Sequence, residues 1–164
     1  MDWLVHLLVP WIGGKLAQIR YHELSDSYIA LLMLGAVLPD IGAVGYLLQW
    51  MGINHGDILL PFHTLVGSAL VAALVSLLFE RRVRAFSLLV TGFLTHYALD
   101  SLLAHAGGGM ALLFPFSWEF GFQFGLVPTS SWVPVIVTAT AATLLFVSLR
   151  LKKRKLLKLS RTAI

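Results

Sequence analysis

The sequence contains no cysteine. Disulfides and thiolate metal sites are thereby excluded, so any metal must be held by histidine or carboxylate. Charge is also scarce. Only 12% of the 164 residues are Asp, Glu, Lys or Arg, about half the share in a soluble domain. No basic stretch precedes the first apolar segment, which opens Met1-Asp2-Trp3, so a cleaved signal peptide is not expected. A glycine-rich phosphate loop is lacking too, and Gly107-Gly108-Gly109 reads as a flexible turn.

What fills the chain instead is apolar. Hydrophobic residues make up 58% of it, and the mean hydropathy is +0.83. That composition implies an integral membrane protein. Four segments have the length to span a bilayer: Ser27–Met51, Ile58–Phe79, Ala85–Ala106 and Leu126–Leu149. A fifth, Trp3–Gly14, is shorter, and Gly13-Gly14 weakens it as a continuous helix. The expected fold is therefore all-α: a polytopic membrane helical bundle of four long transmembrane helices plus a shorter N-terminal helix. Residues 1–150 would form one membrane-embedded domain and residues 151–164 a basic tail.

The basic pI of about 9.7 does not point to nucleic acid, because the charge is concentrated. Seven of the twelve Lys and Arg residues lie at or beyond Arg150, a juxtamembrane cluster suited to anionic lipid. If all five segments cross, every Lys and Arg falls on one side: Lys15, Arg20, Arg81, Arg82, Arg84 and the tail. The positive-inside rule then places the N-terminus outside and the C-terminus in the cytoplasm of a multi-pass cell-membrane protein. The connection 107–125 is rich in phenylalanine and carries Trp118, so it reads as a cap in the outer interface.

Against this apolar background the ionisable residues stand out. His96 and Asp100 are four apart, hence on one helix face. Asp40 follows Leu38-Pro39, His63 lies in Pro61-Phe62-His63-Thr64, and His6 lies near the N-terminus. Under the expected topology, at 1.5 Å per residue, all five sit roughly 5–16 Å below the outer surface. Three imidazoles and two carboxylates match the ligands of zinc and related divalent ions. The carboxylates have no basic residue on that side, so a divalent cation would neutralise them and activate a water for hydrolysis.

Plainer readings exist for each residue. A single intramembrane histidine is commonly a hydrogen-bonded packing group, Pro39-Asp40 can be a kink with a capping carboxylate, and His96/Asp100 can be one internal pair. Their convergence in depth favours a metal site. His105 and Glu119 are further candidates for its coordination shell. His55 and Asp57 read as surface groups, and His22, Glu23 and Asp26 fall on the other side. Ser68 and Ser101 read as helix-packing residues rather than nucleophiles.

The stretches Met1–His6, Leu38–Asp40, His63–Gly67, Gly92–Asp100 and Leu113–Phe116 carry a resemblance. In order and spacing they resemble the YdjM family of prokaryotic membrane-bound metal-dependent hydrolases, a family also described as LexA-binding. The His-Arg pair that the family often carries before the His63 segment is replaced by Ile58-Leu59. The order His, Asp, His, His-x-x-x-Asp is more distantly similar to zinc-dependent phospholipase C and to the all-helical zinc nucleases. These resemblances imply that His6, Asp40, His63, His96 and Asp100 are ligands to one to three zinc ions. They also imply that Asp40 bridges metals and orients the attacking water.

The expectation is a membrane hydrolase that cleaves a phosphate ester, a phospholipid or lipid-linked phosphate entering from the bilayer. Two alternatives stay open: a proton- or metal-ion transporter with a His/Asp relay, and a non-enzymatic scaffold with a structural metal site. Substrate and oligomeric state are not legible.

Overall fold

The computed structural model describes residues 3–43, 48–53, 60–104, 111–117, 123–128 and 130–162. His55, Asp57, His105, Glu119 and, within the connection 107–125, residues 107–110 and 118–122 lie outside the described residues.

Helix α1, Trp3–Arg20, runs unbroken through Pro10 and Gly13-Gly14. The glycines were expected to weaken it. Packing offsets their poor propensity, since Gly14 is buried against Ile29 of the next helix. Helix α2, Asp26–Val37, starts at Ser25, whose hydroxyl accepts from the Tyr28 amide, and carries Asp26 in its first turn. Both features suit the positive end of a helix dipole. The chain then tightens into a 3-10 segment, Leu38–Ala43. Pro39 explains the change: it has no amide hydrogen to continue the α-helical ladder.

A second 3-10 turn, Leu60–His63, leads into α3, Leu65–Ser76. Thr64 caps α3 by accepting from the Gly67 amide (3.1 Å) and donates its own hydroxyl to the Pro61 carbonyl (2.6 Å). Helix α4, Arg82–Ser101, is the central element. After it, two residues of β1, Leu103–Ala104, pair in parallel with β2, Val127–Pro128. Helix α5, Val133–Thr162, completes the fold and lies on α1. It continues as helix into the stretch expected to be a separate tail.

The tightest packing is between α2 and α4. A Cβ on Gly92 would lie 2.2 Å from the Leu32 carbonyl oxygen, and one on Gly35 would lie 2.2 Å from that of Leu89. Only glycine lets the two backbones approach so closely. Leu31, Leu89, Phe93 and Tyr97 fill the core beside this contact.

The expected four-span bundle is contradicted. Among the described residues only one helical stretch, Val133–Arg154, is long and apolar enough to cross a membrane. Helices α2 and α3 have 12 residues each, or about 18 Å against the 30 Å of a bilayer core. The apolar run Ser27–Met51 is cut by the 3-10 segment at Pro39, and Ile58–Phe79 begins as a 3-10 turn. Helix α4 has the length but carries Arg82, Arg84, His96 and Asp100. The depth values quoted above rested on four spans and do not hold. The multi-pass topology falls with them.

Candidate metal centre

The site forms where four elements end. His6 lies at the end of the first turn of α1, Asp40 in the 3-10 segment that follows α2, and His63 in the 3-10 turn that precedes α3. His96 and Asp100 lie in the last turns of α4. The structure thus brings all five candidate ligands together, although they span almost a hundred residues of sequence.

Their polar atoms converge. His96 Nε2 lies 3.1 Å from Asp100 Oδ2, 3.1 Å from His63 Nε2 and 3.7 Å from Asp40 Oδ1. His63 Nε2 lies 3.4 Å from Asp100 Oδ2 and 3.7 Å from Asp40 Oδ1. His6 Nε2 lies 3.2 Å from Asp100 Oδ1, and its ring stacks on His96 with centroids 4.1 Å apart. His6, His96 and Asp100 are buried, whereas the Asp40 side chain keeps 23% of its surface exposed.

The hydrogen bonding of His96 defines what the centre needs. Its Nδ1 lies 2.8 Å from the Ala36 carbonyl oxygen, which can only accept, so Nδ1 carries the hydrogen. In the neutral ring, Nε2 is then a bare lone pair aimed at a carboxylate oxygen and at a second imidazole nitrogen. A proton satisfies one such pair. A divalent cation satisfies all of them at once, and the carbonyl-bound ring with its free nitrogen on the metal is the usual arrangement of a metal histidine. Distances agree: two ligand atoms about 2.0–2.1 Å from a tetrahedral zinc lie about 3.3 Å apart, and the pairs here lie 3.1–3.7 Å apart. Two overlapping triads, His6–Asp40–His96 and His63–His96–Asp100, can each hold an ion.

Because His96 has one free nitrogen, the triads cannot both draw on it. Asp100 touches residues of both, with Oδ1 toward His6 and Oδ2 toward His63 and His96. Asp40, at the open edge, faces both His63 and His96. His6 Nδ1 is buried without a hydrogen-bond partner.

Sequence reasoning missed the groups that hold the candidate ligands. The Ala36 carbonyl reaches His96 because Gly35 and Gly92 let α2 and α4 close on each other. Ser68 was read as simple packing, yet its hydroxyl donates to the Phe62 carbonyl (3.1 Å) and accepts from the Tyr97 hydroxyl (2.7 Å). The Tyr97 ring stands edge-on to both His63 and His96. Tyr97 and Ser68 therefore fix the turn that carries His63. The available signals were Tyr97 beside His96 and the Gly35/Gly92 pair, each too common in helices to be singled out.

The opposite ends of the same helices are basic. There Lys15 Nζ pairs with Asp26 at 2.6 Å, and Arg84 donates to the Tyr28 hydroxyl at 3.0 Å with its guanidinium 5.2 Å from the ring centre. Hydrogen bonds from Lys15 and Gln18 hold the exposed Asp26 carboxyl below its ordinary range. The Arg84 hydrogen bond likewise lowers the Tyr28 hydroxyl.

Fold and site together define a helical protein with a buried His/Asp cluster able to hold a metal and one helix suited to a bilayer. No match was found among curated proteins or among solved structures. The chain belongs to the YdjM inner membrane protein family, whose sequence profile matches residues 1–161.

Proposed function

We propose that this protein is a membrane-bound, zinc-type metal-dependent hydrolase that cleaves a phosphate ester, a phospholipid or lipid-linked phosphate. The observation that carries this reading is the convergence of three imidazoles and two carboxylates, at metal-ligand spacing, with no lysine or arginine among them. His6, Asp40, His63, His96 and Asp100 are the ligands, and one to three zinc ions are the cofactor. The metal supplies a water of lowered pKa and neutralises phosphate charge. Asp40, at the exposed edge, would bridge metals and orient the attacking water, while Asp100 reaches His6 with one oxygen and His63 and His96 with the other.

Two features support a lipid substrate. Helix α5, the membrane-crossing candidate, starts beside His6, with Pro134 and His6 lining one cavity. Trp3, Leu4, Leu102, Trp132 and Val133 are exposed around that end, a rim suited to a membrane interface. The basic end of α5 belongs in the cytoplasm by the positive-inside rule, which puts the cluster end on the outer side. A transporter is less well supported: between the cluster and the basic end the described core is apolar, built from Leu31, Ala85, Leu89 and Phe93.

The test is elemental analysis of purified protein combined with a phosphoester panel. Wild type should carry one or more zinc-like ions per chain and hydrolyse an amphiphilic phosphate. His96→Ala and Asp100→Asn should lose metal and activity together. Folded wild type without metal contradicts the reading. Bound metal with no hydrolysis leaves the scaffold in its place.

A further inference from the structure

Directly beside the cluster lies a cavity of about 60 Å³. Val5 and His6 of α1 form one wall, and Leu99, Leu102 and Leu103 form another. Val127 of β2 and Pro134 of α5 complete the lining. Among the described lining residues His6 is the one ionisable group, and it is also a member of the candidate metal centre. Leu99 precedes Asp100 on α4, and Leu103 lies in β1, just beyond the helix end. The cavity is thus apolar and shares a wall with the cluster.

The small parallel ladder explains why it exists. Val127 donates its amide to the Leu102 carbonyl (3.0 Å), and Phe124 donates to that of Ser101 (2.7 Å). These bonds fasten the chain returning from residue 123 onto the end of α4, and they hold Val127 over the gap between α1 and α4. A purely structural contact would be filled with side chains to ordinary packing density. Here space is left where apolar walls meet a ligand-bearing residue.

We infer that this cavity receives the first carbons of the substrate's alkyl chain, so that the enzyme selects a phosphate by the hydrocarbon attached to it. The inference rests on the phosphate-ester reading above. Its occupant follows from the chemistry of the walls: among the described residues, His6 is the one lining side chain that could hydrogen-bond a sugar or a base. Its size sets the reach. A dry apolar cavity of about 150 Å³ holds a benzene ring, so one of 60 Å³ holds a shorter stretch, on the order of two or three carbons. Further carbons would pass toward the exposed rim of Trp132 and Val133 and the bilayer.

The experiment measures binding of n-alkylphosphonates, methyl to hexyl, to zinc-loaded protein in detergent by calorimetry, with bound metal counted in each sample. These probes are not hydrolysed, so turnover is not needed. Affinity should rise about fourfold per added carbon over the first two or three, then level off. Val127→Trp fills the cavity and should flatten the series from the first carbon while metal is retained. Leu103→Ala enlarges it and should move the plateau to longer chains. Phosphonates that bind metal-loaded wild type equally well at every chain length overturn the alkyl pocket and leave the metal site standing. Protein that holds neither metal nor phosphonate overturns the phosphate-ester reading and the pocket with it.

Discussion

The two ends of this helical bundle handle charge in opposite ways. At the far end, Lys15, Arg81 and Arg84 are matched with Asp26 and Tyr28 in the open, where water solvates whatever the partners do not. At the cluster end, His6, His96 and Asp100 are buried, with Asp40 and His63 partly exposed at the rim. Exposed pairs are worth little and cost little. Buried ones must be neutralised in place, because desolvating an unpaired carboxylate costs several kcal/mol. Among the described residues no lysine or arginine joins the cluster, so a bound proton or metal ion is the counter-charge its own groups call for. The basic end is an electrostatic surface; the other end is built to hold something.

Removing metal should therefore divide the two ends most sharply. A strong chelator should lower the melting temperature of the wild type by about 10 °C, the effect of a ligand present at about a thousandfold its dissociation constant. Asp100→Asn should show almost no chelator response. An equal response in both proteins would mean that the metal binds elsewhere.

Next in size is the backbone contact that feeds the cluster. Gly92→Leu drives a side chain into the Leu32 carbonyl and the Ala36 amide and should cost about 3 kcal/mol in denaturant unfolding. Metal uptake should fail as well, because the Ala36 carbonyl leaves His96. Tyr97→Phe is gentler. It removes one hydrogen bond to Ser68, worth about 1 kcal/mol of stability, and should weaken metal binding about tenfold by loosening His63. A titration with a competing chelator reads that change.

The smallest effect belongs to the far end. Asp26→Asn should cost less than about 1 kcal/mol at pH 7 and leave metal content unchanged. The folded state depresses the Asp26 carboxyl, so its contribution is present above the ordinary value of 3.8 and fades as pH falls below it. Unfolding of wild type and variant should converge in acid. A large effect at neutral pH would show that the basic end is coupled to the core after all.

The sequence exposed the candidate ligands more readily than the frame that holds them. His96 and Asp100 could be paired because an i, i+4 spacing on a helix is geometry independent of context. Asp40, His63 and His6 stood out because ionisable residues are rare in apolar surroundings. The four-span reading failed because hydropathy counts side chains and not hydrogen bonds. Leu38 to Ala43 is apolar apart from Asp40, but Pro39 cannot sustain an α-helix through it, and α2 stops at Val37. Helix α4 reads as a span by composition, although Ala85, Leu89, Phe93 and Tyr97 pack inside the protein and His96 and Asp100 build the site. The Ala36 carbonyl, the Ser68–Tyr97 pair and the β1–β2 ladder depend on contacts between distant residues, which no local pattern encodes.

The central claim is that the buried cluster is a metal centre. Zinc-edge X-ray absorption on purified wild type and Asp100→Asn tests it most directly. The account predicts a first shell of nitrogen and oxygen at about 2.0–2.1 Å with imidazole scattering in the wild type, and its loss in the variant. A metal-free wild type, or a shell without imidazole that survives Asp100→Asn, would contradict it.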